Sequence, residues 1–197
     1  MPRLDSLRAG HRSCASCHHQ PGVRDCRPHG CGGRLFFNVA GVGLDAHIAA
    51  RFPVHARGLR GVLRYVAAAA AELRRYQPAG CTIAVDGAAF SVRPLMVVFA
   101  NLRQYGYAAV VAPLARLDDG VLDLVVVEPA PLVADLLRAC RLLGGTLHRA
   151  RGVTTMRVRE AWIASDAPMP FHVDGEAVPG ERSLSVRVHP RALRVRA

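Results

Sequence analysis

From Cys81 onward the apolar residues fall in short runs, most of them alternating with polar ones and bounded by Gly, Pro or Asp-Gly pairs. An alternation of period two puts one set of side chains on one face of an extended chain, so such segments pair into sheet. Residues 81–85 alternate, Asp86-Gly87 gives a hairpin turn signal, and 90–93 return. Residues 95–100 form an uninterrupted apolar strand, followed by a loop over 101–107, a strand at 108–112 and an acidic turn, Asp118-Asp119-Gly120. Further strands are predicted at 122–128, 154–158, 161–164, 170–173, 184–188 and 193–195.

Helical signals are fewer. Residues 44–52 suit a short helix with Asp45 in its first turn, where a carboxylate favours the positive end of the helix dipole. Residues 59–76 make a stronger one, with five consecutive alanines at 67–71 and a stop at Pro78-Ala79-Gly80. The third spans 132–143 and ends at Gly144-Gly145. Ahead of them, 35–40 reads as a buried strand ended by Gly41-Val42-Gly43. The pattern predicts an α+β chain, mainly β: a β-sandwich-like domain over 34–197 with two or three helices.

Residues 1–33 differ. They hold four of the six cysteines, Cys14, Cys17, Cys26 and Cys31, and show no periodicity. A zinc knuckle with His18, His19 and His29 as spare ligands is one reading. Out-of-frame translation of Arg-rich coding sequence is the preferred one. Cys81 and Cys140 are expected to be buried, reduced core residues.

All 26 basic residues are arginine, and the formal net charge is +11. Without lysine, no Schiff-base or general-base lysine is available. The charge suits phosphate-bearing partners, such as an anionic membrane surface or a nucleotide. With 6% aromatic residues and no base-stacking motif, nucleic acid is not expected as a partner. The N-terminus lacks the apolar stretch of a signal peptide and no run reaches membrane-spanning length, which gives the expectation of a cytoplasmic protein peripheral to the membrane.

Four segments carry a more specific signal: Phe36-Phe37-Asn38-Val39-Ala40-Gly41-Val42-Gly43-Leu44-Asp45-Ala46, Asn101 to Gly106, Ala112-Pro113 through Asp118-Asp119-Gly120-Val121-Leu122-Asp123, and His172-Val173-Asp174-Gly175-Glu176. In order and spacing they resemble the signature of the second domain of the bacterial diacylglycerol kinase and YegS-like lipid kinase family, which also includes sphingosine kinase-like proteins. The resemblance covers 34–197 and implies a lipid kinase using ATP and Mg²⁺, with a diacylglycerol-like lipid as substrate.

The resemblance also implies residue roles. The general base for the lipid hydroxyl lies in the pair Asp174 and Glu176, two apart at a strand end and expected to point the same way. A structural Mg²⁺ would take the Asp119 side chain with the carbonyls of Arg116 and Val121, an oxygen-only set suited to a hard cation. Gly41, Gly43 and Asp45 would face the interdomain cleft on the cofactor side. Read as plain turns, Asp118-Asp119-Gly120 and Asp174-Gly175 need no chemistry, and Val-Asp-Gly recurs at 85–87 where no catalysis is assigned.

The family's Gly-Gly-Asp-Gly-Thr nucleotide motif has no counterpart here, so the expectation is a truncated chain, silent on its own. The alternatives are a non-catalytic basic module docking on anionic membrane through Arg151, Arg157, Arg159 and Arg194, and a zinc-binding regulatory protein; a homodimer is also left open.

Overall fold

The computed structural model describes residues 23–28, 33–51, 69–106 and 109–189. Its elements in chain order are β1 (Val23–Pro28), β2 (Arg34–Phe36), β3 (Val39–Gly43), α1 (Leu44–Arg51), a helical run α2 at 69–75, β4 (Cys81–Val85), β5 (Ala88–Val92), β6 (Met96–Ala100), β7 (Gln104–Gly106), β8 (Ala109–Val110), β9 (Leu122–Val127), α3 (Leu132–Leu143), a 3₁₀ turn (Leu147–Arg149), β10 (Val153–Val158), β11 (Glu160–Val173) and β12 (Glu176–His189). The α+β, mainly β class holds.

One antiparallel sheet runs β10-β9-β6-β3-β11-β12-β1-β2, with the β4–β5 hairpin added along the first half of β11. β11 is long enough to pair with β4 through 161–165 and with β3 through 171–173. Register shifts between Ala164 and Phe171 bend it in between, as bulges do. The bend folds the sheet over on itself. One cluster accordingly joins Ile83, Ile163 and Leu184 to Phe99, Leu124 and Phe171. Each such residue, fully buried, contributes roughly 1.5–3 kcal/mol. The outer face of β3, β6 and β9 carries a second cluster, Val39, Val98 and Val125, covered by Leu44 and Ile48 of α1, by Ala69 and Leu73 of α2 and by Leu147 of the 3₁₀ turn. The result is a sandwich with a helical layer on one side.

Several expected boundaries move. Gly41 and Val42 lie in the buried interior of β3, which ends at Gly43, and a further break at Phe37-Asn38 divides the strand expected over 35–40. The strand turns into α1 at Gly43, whose φ of +109° and whose contact with the Leu95 carbonyl leave no place for a Cβ. The segments 161–164 and 170–173 are one strand, joined through the bulged Asp166-Ala167-Pro168 region where alternation is lost. The 101–107 loop contains β7, paired with β8. Within the Cys-rich head, residues 23–28 add a strand between β12 and β2, so the boundary drawn at Arg34 by composition falls between two paired strands. Cys14, Cys17 and Cys31, the start of the helix expected from 59, and the strand expected at 193–195 lie outside the described residues.

α3 ends as its glycine pair predicts. Gly145 adopts φ +67°, Thr146 N–H reaches the Arg141 carbonyl at 2.9 Å and Gly145 N–H the Leu142 carbonyl at 3.4 Å, the bonding of a Schellman stop. Its orientation corrects the expectation for Cys140, which is exposed because the helix turns its apolar side outward. Cys81 is buried, and burial pushes its thiol up to about 11. Alkylation of the native protein at pH 8, followed by peptide mass mapping, should therefore modify Cys140 and spare Cys81 until denaturant is added; equal labelling of both would contradict this packing.

Candidate functional site

Three of the four signature segments meet at one end of the sheet. β11 and β12 reverse through Asp174-Gly175, a two-residue loop between the paired Val173 and Glu176, with φ of +49° and +87° as a type I′ turn requires. The Asp174 carboxylate reaches back to the bend between β2 and β3. Its Oδ2 accepts the Phe37 N–H at 2.9 Å, and its Oδ1 accepts those of Asn38 and Val39 at 2.9 and 3.0 Å. The Asp174 N–H in turn donates to the Val39 carbonyl at 2.8 Å. Asn101 closes the same bend from the other side, its Nδ2 donating to the Phe37 carbonyl at 2.6 Å and its backbone N–H to that of Asn38 at 2.9 Å.

Beneath this clamp lies a buried polar triad. Gly175 N–H donates to His172 Nδ1 at 3.3 Å, which selects the tautomer with its hydrogen on Nε2. That nitrogen lies 2.6 Å from Tyr105 Oη and 3.2 Å from Asp45 Oδ2. Tyr105 O–H donates to Asp45 Oδ2 at 2.9 Å. The bonds run from the Asp174-Gly175 turn through His172 and Tyr105 to the start of α1. Asp45 and His172 are 5% and 1% exposed, so nearly all their polar capacity must be met inside. Space for both comes from Gly41, where any Cβ would collide with the Asp45 carboxylate and stand 2.5 Å from His172 Nε2.

Asp174 and Glu176 do not share a strand face, because the chain reversal lies between them and strand alternation does not cross it. Asp174 is committed to backbone amides. Glu176, the first residue of β12, keeps its side chain 83% exposed, 3.9 Å from Arg34. Gly41, Gly43 and Asp45 lie buried inside the fold, along β3 and the first turn of α1. Sequence reasoning gave no role to Tyr105 or His172, though both stand within the quoted segments; a His beside Asp-Gly-Glu and a Tyr before Gly were the available signals.

The acidic segment occupies the same end of the sheet, farther along it. Val39 pairs with Ala100, Ala100 with Asp123, and Asp123 with Arg157, so one row crosses β3, β6, β9 and β10. From the Asp174 turn to Asp123 is three strand spacings, about 14 Å. Burial raises the carboxyl of Asp123 above its ordinary range, and the Arg157 charge opposes that. Asp119 sits before Gly120, which has φ +73°. Its Oδ1 accepts the Val121 N–H at 3.1 Å, and its Oδ2 pairs with the Arg157 guanidinium at 2.5 Å. Arg116 pairs with Asp118 at 3.4 Å. Among the described residues no group of three or more His, Cys, Asp or Glu side chains is placed to hold a metal.

Two substitutions measure this architecture. Gly41→Ala should cost about 2–3 kcal/mol in denaturant unfolding, because the intruding methyl must displace the Asp45–His172 contact. Asp174→Ala should cost about 1–2 kcal/mol by removing the charged acceptor of three backbone N–H groups that water can reach in part, with Asp174→Asn intermediate. An unchanged midpoint in Asp174→Ala would remove the clamp as a source of stability, and one in Gly41→Ala would remove the close packing of the triad beneath it.

Comparison with known proteins fits this arrangement. Residues 38–197 match the family model described as the YegS C-terminal NAD kinase beta sandwich-like domain. A Shewanella frigidimarina protein named as a probable YegS-like lipid kinase is 26% identical over 165 residues, covering 80% of this chain and 50% of its own length. A Pseudomonas aeruginosa protein of the same name is 28% identical over 167 residues, with 83% and 53% covered. The crystal structure of a diacylglycerol kinase from Bacillus anthracis str. Sterne shares the fold at TM-score 0.55 and 14% identity, covering 86% of this chain and 51% of that one. The chain thus spans about half the length of the curated relatives it matches. With its sandwich, its helical layer and its motif-bearing end matched over residues 38–197, the chain belongs to the family of YegS C-terminal NAD kinase beta sandwich-like domains, whose relatives here carry the name of lipid kinases.

Proposed function

We propose that this chain is the acceptor-side part of an ATP-dependent lipid kinase, phosphorylating the hydroxyl of diacylglycerol or a related lipid with ATP held by a nucleotide-binding lobe. The observation that carries the reading is the split between the two acids of the closing motif. Phosphoryl transfer asks a protein for positioning, charge neutralisation and a proton acceptor more than for covalent chemistry. Asp174, with three N–H donors on its carboxylate, is spent on holding the turn. Glu176, two residues on and open to solvent, is the acid left to accept the proton of the lipid hydroxyl. Gly41, Gly43 and Asp45 serve as the rigid floor beneath the turn and touch no nucleotide directly.

Mg²⁺ at the acidic segment would be held by the Asp119 carboxylate with the carbonyls of Arg116 and Val121. The oxygen chemistry suits that ion, but the cation has to replace the Arg157 guanidinium on Oδ2, which the 60% exposure of the Arg157 side chain permits. Bound there, in the loop ahead of β9, the ion would supply charge neutralisation to the 116–121 segment and take no part at the reacting hydroxyl.

The test is a lipid kinase assay of the full chain with ATP and diacylglycerol, alone and with the nucleotide-binding half of a YegS-like relative added in trans. Phosphorylated lipid should appear only with the added half. Glu176→Gln should lower that activity by about 100-fold or more while leaving unfolding within about 0.5 kcal/mol of the parent. Full activity in Glu176→Gln would overturn the assignment of the base, and activity of the chain alone would overturn the division of labour.

A further inference from the structure

Among the described residues no helix is long and apolar enough to cross a membrane, yet α3 is built inside out. Two of its polar residues, Asp135 and Arg138, face inward. Asp135 is 7% exposed and pairs with Arg138 at 2.8 Å. Arg138 also donates to the Glu128 carbonyl at 2.6 Å and to the Arg151 carbonyl. Gly152, at φ +71°, leaves the room Arg138 needs, since a Cβ there would strike the guanidinium. These bonds fix the rotation of the helix about its axis. Its outward side then presents Leu132, Val133, Leu136, Leu137, Cys140 and Leu143, a spacing of three, four and seven that makes one stripe. Val133, Leu137 and Leu143 are 70%, 60% and 59% exposed.

We propose that this stripe is a docking surface for an anionic bilayer, with α3 lying in the plane of the interface. The proposal deepens the lipid-kinase reading and rests on it for the need to reach a substrate in a membrane. Charge selects the occupant. On α3 itself Arg141 is exposed, as are Arg149 and Arg151 in the segment that follows it, against one exposed acid in the segment that precedes it, Glu128, while Asp135 is buried under Arg138. An apolar helix face edged by arginines is the combination that binds the headgroup boundary of anionic membranes. A second copy of this chain, carrying +11, would bring like charges together across the same contact. Position agrees as well. The Schellman stop of α3 sets Gly145 against Val110 of β8, whose partner β7 carries Tyr105 of the buried triad. A bilayer seated on α3 is thereby placed beside the hairpin that braces the Asp174–Glu176 turn.

Cys140 lies in the stripe and gives the readout. With Cys14, Cys17, Cys26 and Cys31 replaced by serine, an environment-sensitive fluorophore is attached to Cys140 of the full chain. Vesicles of equimolar phosphatidylcholine and phosphatidylglycerol should sediment the unlabelled protein and shift the label to the blue, and vesicles of phosphatidylcholine alone should do so far less. The double substitution Val133→Asp and Leu137→Asp, at exposed positions that leave the fold intact by thermal melting, should weaken vesicle binding by about tenfold or more. Equal sedimentation of parent and double variant would overturn the proposal. So would a label shift produced without vesicles, whether by self-association or by the added nucleotide-binding half. The kinase reading is separated by substrate form: with that half supplied, the double variant should lose phosphorylation of vesicle diacylglycerol and keep it on a short-chain, water-soluble one. Loss of both in the double variant would count against the docking role. Failure of the parent on both substrates, with vesicle binding intact, would count against the kinase reading alone.

Discussion

Everything at the motif-bearing end of the molecule hangs on the Asp174 carboxylate. It joins the turn between β11 and β12 to a bend 137 residues earlier in the chain by accepting the N–H groups of Phe37, Asn38 and Val39. Those donors are exposed by the break between β2 and β3, where no neighbouring strand satisfies them. A charged acceptor suits the position because bonds to ions are worth roughly twice those between neutral groups. Once the bend is held, β3 enters the sheet in the register that sets Val39 beside Ala100, and Gly41 arrives beneath Asp45 and His172. The clamp and the triad are two layers of one device, since Gly175 N–H ties the turn to the histidine underneath.

The two Val-Asp-Gly turns show what sequence alone does and does not carry. Asp86 and Asp174 have nearly the same φ, +47° and +49°, and each precedes a left-handed glycine in a two-residue hairpin. Local chemistry made both hairpins legible. What separates them is what lies opposite: Asp86 sits exposed at the tip of β4–β5, while Asp174 meets the backbone of Phe37 to Val39. That contact is tertiary, and no reading of the tripeptide contains it. The same limit hid the roles of Tyr105 and His172, which acquire meaning only when three distant segments converge.

Elsewhere the failures have local causes. Gly41 reads as the start of a stop because glycine weakens strands, yet the stop falls at Gly43, and a strand buried on both faces beside a carboxylate and an imidazole has room for nothing larger at Gly41. β11 looks like two strands because its bulged middle breaks the alternation. Cys140 reads as core because an amphipathic helix ordinarily buries its apolar stripe. In α3 the bonds of Arg138 decide the orientation instead, and the apolar stripe is left facing out.

The all-arginine composition takes on a physical use in that helix. Arg138 satisfies a carboxylate and two backbone carbonyls at once, spread across the Glu128 and Arg151 segments. A guanidinium can do this because its donors fan out in a plane, whereas an ammonium offers three donors from a single point. Arg157 meets Asp119 from across the sheet at the row that also contains Asp123. Both arginines therefore supply cationic donors to carboxylates and carbonyls packed against the sheet. In the first case the arginine holds a helix with its apolar side to solvent. In the second it stands on the carboxylate proposed for a metal ion, so an ion bound there would have to displace the protein's own cation.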